Sequence, residues 1–164
     1  MKKILVSLLM LVVLCTAAHA ETVNISKCGM SLNPPAGFKQ GDITQTPVSC
    51  AVDFNGPMKG SRNWRFMISA VQTPKVSTPA EIGKASLKSI APGRMFVKAT
   101  PVKIKGADAS YLLTPDLKKS GSILYKVTIY SKNFCYDIDF FGDEKTQAEY
   151  EKVIVDMLKT ITIK

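Results

Sequence analysis

SILYKVTIYSKNFCYDIDFF, residues 122–141, is the stretch whose reading decides the fold. Ile123, Tyr125, Val127 and Ile129 recur at every second position, and so do Tyr136, Ile138 and Phe140. That is the period of half-buried strands. Lys132 and Asn133 fit a two-residue hairpin turn between the two runs. Registering on that turn sets Tyr130 opposite Cys135, Thr128 opposite Asp137 and Lys126 opposite Asp139. A single register thus sorts both strands into one apolar and one polar face, whereas a slip by one residue would mix them. The hairpin therefore belongs to an antiparallel sheet with one buried face.

Reading outward on the N-terminal side, Ala109 to Thr114 continues the sheet, and residues 95–105 are extended, with Pro101 marking a bulge or an edge. Thr78, Pro79 and Glu81 form a capping-box start for a helix that Pro92 and Gly93 end. Trp64 to Val71 and Val48 to Phe54 alternate as strands, separated by the breaker Asn55, Gly56 and Pro57. Residues 38–47 read as irregular and polar. Met30 to Asn33 reads as a short strand before a firm turn at Pro34, Pro35, Ala36 and Gly37. On the C-terminal side a helix is expected from Gly142 to about Thr160. Tyr150, Val153, Ile154, Met157, Leu158 and Ile161 repeat there at three and four. Residues 161–164 add a short terminal strand. Strands with helices packed on them imply an α+β domain.

Residues 1–20 carry the three parts of a secretory signal peptide. Lys2 and Lys3 precede an apolar run from Ile4 to Leu14, and Ala18, His19 and Ala20 form a small-x-small cleavage site. Cys15 follows Leu14, which does not fit a lipoprotein site. Residues 21–164 are then one exported domain, expected in the periplasm, with no further stretch of transmembrane length. Loss of the two leader lysines lowers the net charge from +9 to +7. The only histidine, His19, leaves with the leader. Cys28, Cys50 and Cys135 remain in an oxidising compartment, enough for one disulfide and one leftover thiol. Cys50 shares an apolar strand face with Val52 and Phe54, while Cys135 points away from one. Cys28–Cys50 is therefore the expected bond, and Cys135 the expected free thiol.

With this order in place, the stretch "MSLNPPAGF" at residues 30–38 resembles the L-x-x-P-x-G-[WF] opening of PsbP-like and Mog1-like domains and their bacterial DcrB-type relatives. The end is similar too: "FCYDIDFFG" leads into a long helix and then "MLKTITIK". The resemblance covers residues 28–164. It implies a curved antiparallel sheet flanked by helices, and a non-enzymatic accessory or docking role. It supplies no catalytic residue to carry over.

The residues themselves carry little chemistry. Asp137, Asp139, Asp143 and Glu144 form the one acidic cluster, without the ligand-bearing loop that a hard cation needs. A cross-strand Lys126–Asp139 pair and helix capping account for them. Nucleotide, zinc and serine-nucleophile fingerprints are missing from the sequence. No cofactor, metal or catalytic residue is therefore expected. Lys98, Lys103, Lys105, Lys118 and Lys119 make a candidate basic patch. In an exported chain with few arginines, such a patch points to an envelope protein or an anionic cell-surface component rather than to nucleic acid. The leading expectation is a non-catalytic interaction or accessory domain docking to an envelope partner. The alternative is a carrier of a small ligand or lipid, with a groove between sheet and helix. Trp64, Phe66 and Tyr136 could line that groove, although core packing accounts for them more simply.

Overall fold

The computed structural model describes residues 21–73, 81, 96–115 and 123–164. The expected leader (1–20), the expected helix at 78–91 and the connection that carries Lys118 and Lys119 lie outside, or almost wholly outside, these residues.

Seven strands form one antiparallel sheet. They are β3 (Lys39–Gln45), β4 (Ser49–Lys59), β5 (Arg62–Gln72), β6 (Phe96–Pro101), β7 (Ala109–Pro115), β8 (Ile123–Tyr130) and β9 (Phe134–Gly142). Their order is β3-β4-β5-β9-β8-β7-β6. Two meanders thus meet where β9 returns to pair with β5. The β8–β9 register is the one that the alternation requires, with Tyr130 opposite Cys135, Thr128 opposite Asp137 and Lys126 opposite Asp139. The Ser131 N–H donates to the Phe134 carbonyl and closes the two-residue turn.

A second sheet is built from β1 (Val23–Ile25), β2 (Met30–Leu32) and β10 (Thr162–Ile163), in the order β1-β2-β10. It shares one face of the large sheet with α1 (Gln147–Leu158), the one α-helix assigned among the described residues. That face carries Val52, Phe54, Trp64, Phe66, Ile68, Tyr125, Val127, Ile138 and Phe140, all buried. Tyr150 of α1 stacks on Trp64 with ring centroids 4.4 Å apart and meets Phe140 edge-on. Ile25, Met30, Leu32 and Ile163 cover the other half from the small sheet. A disulfide joins Cys28, in the turn after β1, to Cys50 on β4, with Cα atoms 6.2 Å apart. The Tyr136 hydroxyl donates to the Cys28 carbonyl at 2.7 Å beside it. Cys135 lies on the opposite face as a free thiol.

These elements correct the expected fold class. The described residues are 58% strand and 17% helix in two antiparallel sheets, not an α+β sheet flanked by several helices. Three physical causes account for the difference. Strands of two or three residues are too short to show a period, so the sequence marks β2 and β10 as short strands but not β1, nor that the three pair into a second sheet. The polar stretch 39–45 reads as a loop, yet it forms β3, an edge strand that is exposed almost throughout. Edge strands need no apolar alternation because little covers them. The breaker at residues 55–57 does not end β4 either. The register shifts between Asn55 and Met58, and the strand runs on to Lys59. β3 starts at Lys39, opposite Asn55. Beyond that point β4 is itself an edge, where the missing N–H of Pro57 costs no ladder bond.

The expected long helix is also shorter. It begins with a 3-10 turn at Glu144–Thr146, capped by Asp143, and only then becomes α1.

Candidate functional site

The small sheet buries one face, so its other face must look outward. Val23, Ile25, Met30, Leu32 and Ile163 point in, and by the two-residue period Asn24, Ser31 and Thr162 point out. The register sets Asn24 beside Ser31 and Ser31 beside Thr162. On the far side of β10, Lys105 forms a parallel bridge to Thr162, and the Ile163 N–H donates to the Lys105 carbonyl at 2.8 Å. Ile104 is 5% exposed and points inward, so Lys103 and Lys105 on either side of it point out. Lys164 continues the outward parity of Thr162. Its N–H donates to the Gly29 carbonyl, and its Nζ reaches Asn24 Oδ1 at 3.4 Å. Lys27, in the Ser26–Cys28 turn, stands exposed at the rim.

Backbone geometry holds this arrangement. Gly106 turns the chain just after Lys105 with φ +83°. A Cβ at that position would fall inside contact distance of the Ile163 carbonyl. The closeness that lets Lys105 pair with β10 therefore requires glycine.

The resulting face is unusual in its chemistry. It presents Lys103, Lys105 and Lys164 around Asn24, Ser31 and Thr162, and no side-chain carboxylate stands on it among the described residues. Ser31 is recessed, at 9% exposure, and its hydroxyl makes no hydrogen bond among the described residues. Nor does Lys27, Lys103, Lys105 or Lys164 enter a salt bridge among them. The lysines that do, Lys59, Lys126 and Lys159, lie elsewhere. The nearest acid along the chain, Asp108, lies past the Gly106 turn, where its N–H donates to the Tyr130 carbonyl.

Of the five lysines expected to form a patch, the structure brings Lys103 and Lys105 together on this face. Lys98 stands instead on β6, opposite Thr114, and Lys118 and Lys119 lie outside the described residues. Lys164 was legible in principle from the alternation Ile161, Thr162, Ile163, Lys164. Lys27 had no sequence signal, because only the fold brings its turn alongside β10.

The acidic cluster resolves into two separate devices. On the outer face of the large sheet, Lys126 Nζ lies 3.2 Å from Asp137 Oδ2 and 3.3 Å from Asp139 Oδ1. The second contact is within ion-pair distance but outside hydrogen-bond geometry, so buried Asp139 Oδ1 has no hydrogen bond. Burial raises the Asp139 pKa, Lys126 opposes that rise, and the neighbouring Asp137 charge adds to it. Burial also works against the Lys126 charge, but the two carboxylates more than offset it and raise its pKa. Asp143 does a different job. Its Oδ2 accepts from the Ser61 hydroxyl at 2.6 Å and the Ser61 N–H at 2.7 Å, and its Oδ1 accepts from the Lys145 N–H. These bonds, the Ser61 hydroxyl first, hold its pKa down to about 2. Asp143 thus ties the β4–β5 turn to the start of the helix.

The aromatic residues suggested for a groove are packed instead. The Trp64 Nε1–H donates to Thr146 Oγ1 at 3.0 Å, and Phe66 stacks on Phe54 at 4.4 Å. Trp64, Phe66 and Tyr136 are all at most 3% exposed. Clefts do occur on either side of the Pro34–Pro35–Ala36 turn. One, of about 280 Å³, lies against Val153, Met157 and Thr160 of the helix end. The other, of about 310 Å³, lies against Val23 and Phe38. Both are open and at or below the lower end of the range for small-molecule sites. No helix among the described residues is long and apolar enough to cross a membrane.

No family model matches the chain, and no curated protein matches it.

Proposed function

We propose that this is a non-catalytic accessory domain of the cell envelope that docks onto an anionic partner through the outward face of its small sheet. The observation that carries this reading is the convergence of Lys103, Lys105 and Lys164 on one face without an acidic side chain among the described residues, with Lys27 at its rim. Like charges held close together repel one another. A face that keeps them without a carboxylate among them is complementary to an anionic surface. The leader-like residues 1–20, the Cys28–Cys50 bond and the resemblance to PsbP/Mog1/DcrB-type accessory domains support the envelope location and the non-enzymatic role.

Chromatography on an immobilised polyanion tests the reading. Lys103→Glu/Lys105→Glu should elute at clearly lower salt than the wild type. Lys98→Glu/Lys152→Glu makes the same change in net charge on other surfaces and should shift elution much less. Equal shifts for the two double variants would mean that net charge, not this face, governs binding. The reading would then fail.

A small-ligand carrier is the second reading. The clefts beside Pro34 and Pro35 favour it. Native mass spectrometry of protein purified from its host should then show a bound mass, which bulky substitutions such as Ala36→Trp remove.

A further inference from the structure

We infer that the anionic partner is the phosphate-bearing surface of a membrane containing anionic phospholipid. This rests on the docking reading and names the occupant of the same face. The composition of the face favours a lipid surface over a protein. Protein interfaces are anchored by buried aromatic or arginine side chains at their centre, and lysine is depleted there. Among the described residues, this face has no aromatic and no arginine, and one exposed apolar side chain, Ile43 of β3, adjoins it in a cleft with Asn24 and Lys27. Its residues are lysines, two hydroxyls and one amide. The other exposed apolar residues, Val48, Met58, Val71 and Val155, lie elsewhere in the chain.

The geometry also suits phosphodiester groups. Lys105 and the Ser26–Cys28 turn flank β10 on opposite sides. They are thus separated by roughly two strand spacings, about 10 Å. That spread is wide for one small anion and matches neighbouring headgroups on a surface. Between the lysines, the free Ser31 hydroxyl, the Thr162 hydroxyl and the Asn24 amide can each donate to a phosphate oxygen. With no apolar anchor among these residues, the domain sits against the headgroups without inserting into the acyl layer. The bond is electrostatic. At about 1 kcal/mol per lysine near an anionic surface, four lysines give a partition coefficient on the order of 10³ M⁻¹. Binding of this kind is reversible and sensitive to salt.

Vesicle co-sedimentation of the oxidised protein, residues 21–164, tests the inference. Phosphatidylcholine vesicles with and without phosphatidylglycerol serve as probes, with soluble polyglutamate as a non-lipid polyanion. The wild type should pellet only with vesicles containing phosphatidylglycerol and should be released by high salt. Lys103→Ala/Lys105→Ala should lower the partition coefficient about 30-fold, the effect of two lysines at about 1 kcal/mol each. Lys152→Ala, on the exposed side of α1, should leave it unchanged, and matched thermal melts establish that the variants are folded. If the wild type binds polyglutamate through these lysines but not the vesicles, the lipid inference is overturned and the docking reading stands. If it binds neither, both fall. Vesicle binding that survives Lys103→Ala/Lys105→Ala would place the membrane contact on another face and overturn the inference as well.

Discussion

Breaking the Cys28–Cys50 bond should cost about 3 kcal/mol of stability. The two half-cystines are 22 residues apart in sequence. In the chain-entropy account, closing a loop of that length in the unfolded state stabilises the native state by about 3 kcal/mol. At a urea dependence of about 1–3 kcal/mol per molar, the unfolding midpoint should fall by about 1–3 M. Trp64 is the one tryptophan in the chain, buried and stacked on Tyr150, so its fluorescence reports loss of the core. Two comparisons separate the cross-link from packing. Reduced wild type keeps both sulfur atoms in place, whereas Cys28→Ala/Cys50→Ala removes them from sites 0% and 4% exposed. The reduced protein should show most of the loss, and the double variant slightly more. Hydrogen exchange should quicken first in β1, β2 and β10, because the bond ties that sheet to β4. A reduced wild type that unfolds at the same urea concentration as the oxidised protein would refute the reasoning. So would three titratable thiols in the native protein.

Gly106→Ala should lower the melting temperature by several degrees, since it combines a left-handed φ with a clash on the Ile163 carbonyl. An unchanged melt would show that the segment beside β10 is not held as described. Asp143→Asn should be less stable than the wild type near neutral pH, with a gap that closes in acid. The folded Asp143 pKa is about 2, against an unfolded value of about 3.9, so its stabilisation is present above about pH 4 and lost as pH falls towards 2. Urea midpoints measured at pH 6 and pH 2 check this. Lys126→Met should cost roughly 1–2 kcal/mol at pH 7, because it leaves the largely buried Asp139 charge without its main partner. Asp139 already has a raised pKa, and loss of Lys126 raises it further. The penalty should therefore shrink as pH falls through that raised value and protonates the carboxyl. A penalty independent of pH would assign the loss to packing of the lysine stem instead.

Legibility in the sequence followed burial. The strands that pack against α1 or the small sheet announced themselves through alternation, and the β8–β9 register could be set residue by residue. The same parity separated Cys50 from Cys135, and the structure joins Cys28 to Cys50. What escaped was structure without a buried stripe of its own. β3 is polar and exposed along its length because it is an edge. β1 is too short for a period, and although β2 and β10 are marked as short strands, nothing in the sequence pairs them from opposite ends of the chain. A reading without β1 and β3, and without the pairing of β2 with β10, sees one sheet where there are two. It therefore sees an α+β domain where the described residues form two sheets and one helix.

The lysine face was half legible for the same reason. Lys103 and Lys105 share a face in any extended segment, but their neighbours depend on a sheet assembled across more than 130 residues of chain, from Asn24 to Thr162. Net charge was a poor guide. An excess of positive charge spread evenly speaks only to solubility and to repulsion between copies. The informative quantity is the local segregation of sign. Lys59, Lys126 and Lys159 meet carboxylates elsewhere, while Lys27, Lys103, Lys105 and Lys164 gather without one. That gathering exists only when β10 lies between β2 and Lys105, and the turn beside it is anchored through Cys28. Oxidation and docking are therefore coupled in the proposed mechanism. Under the proposed docking reading, reduction of Cys28–Cys50 should weaken polyanion binding as well as stability, and equal binding by the reduced protein would uncouple the two.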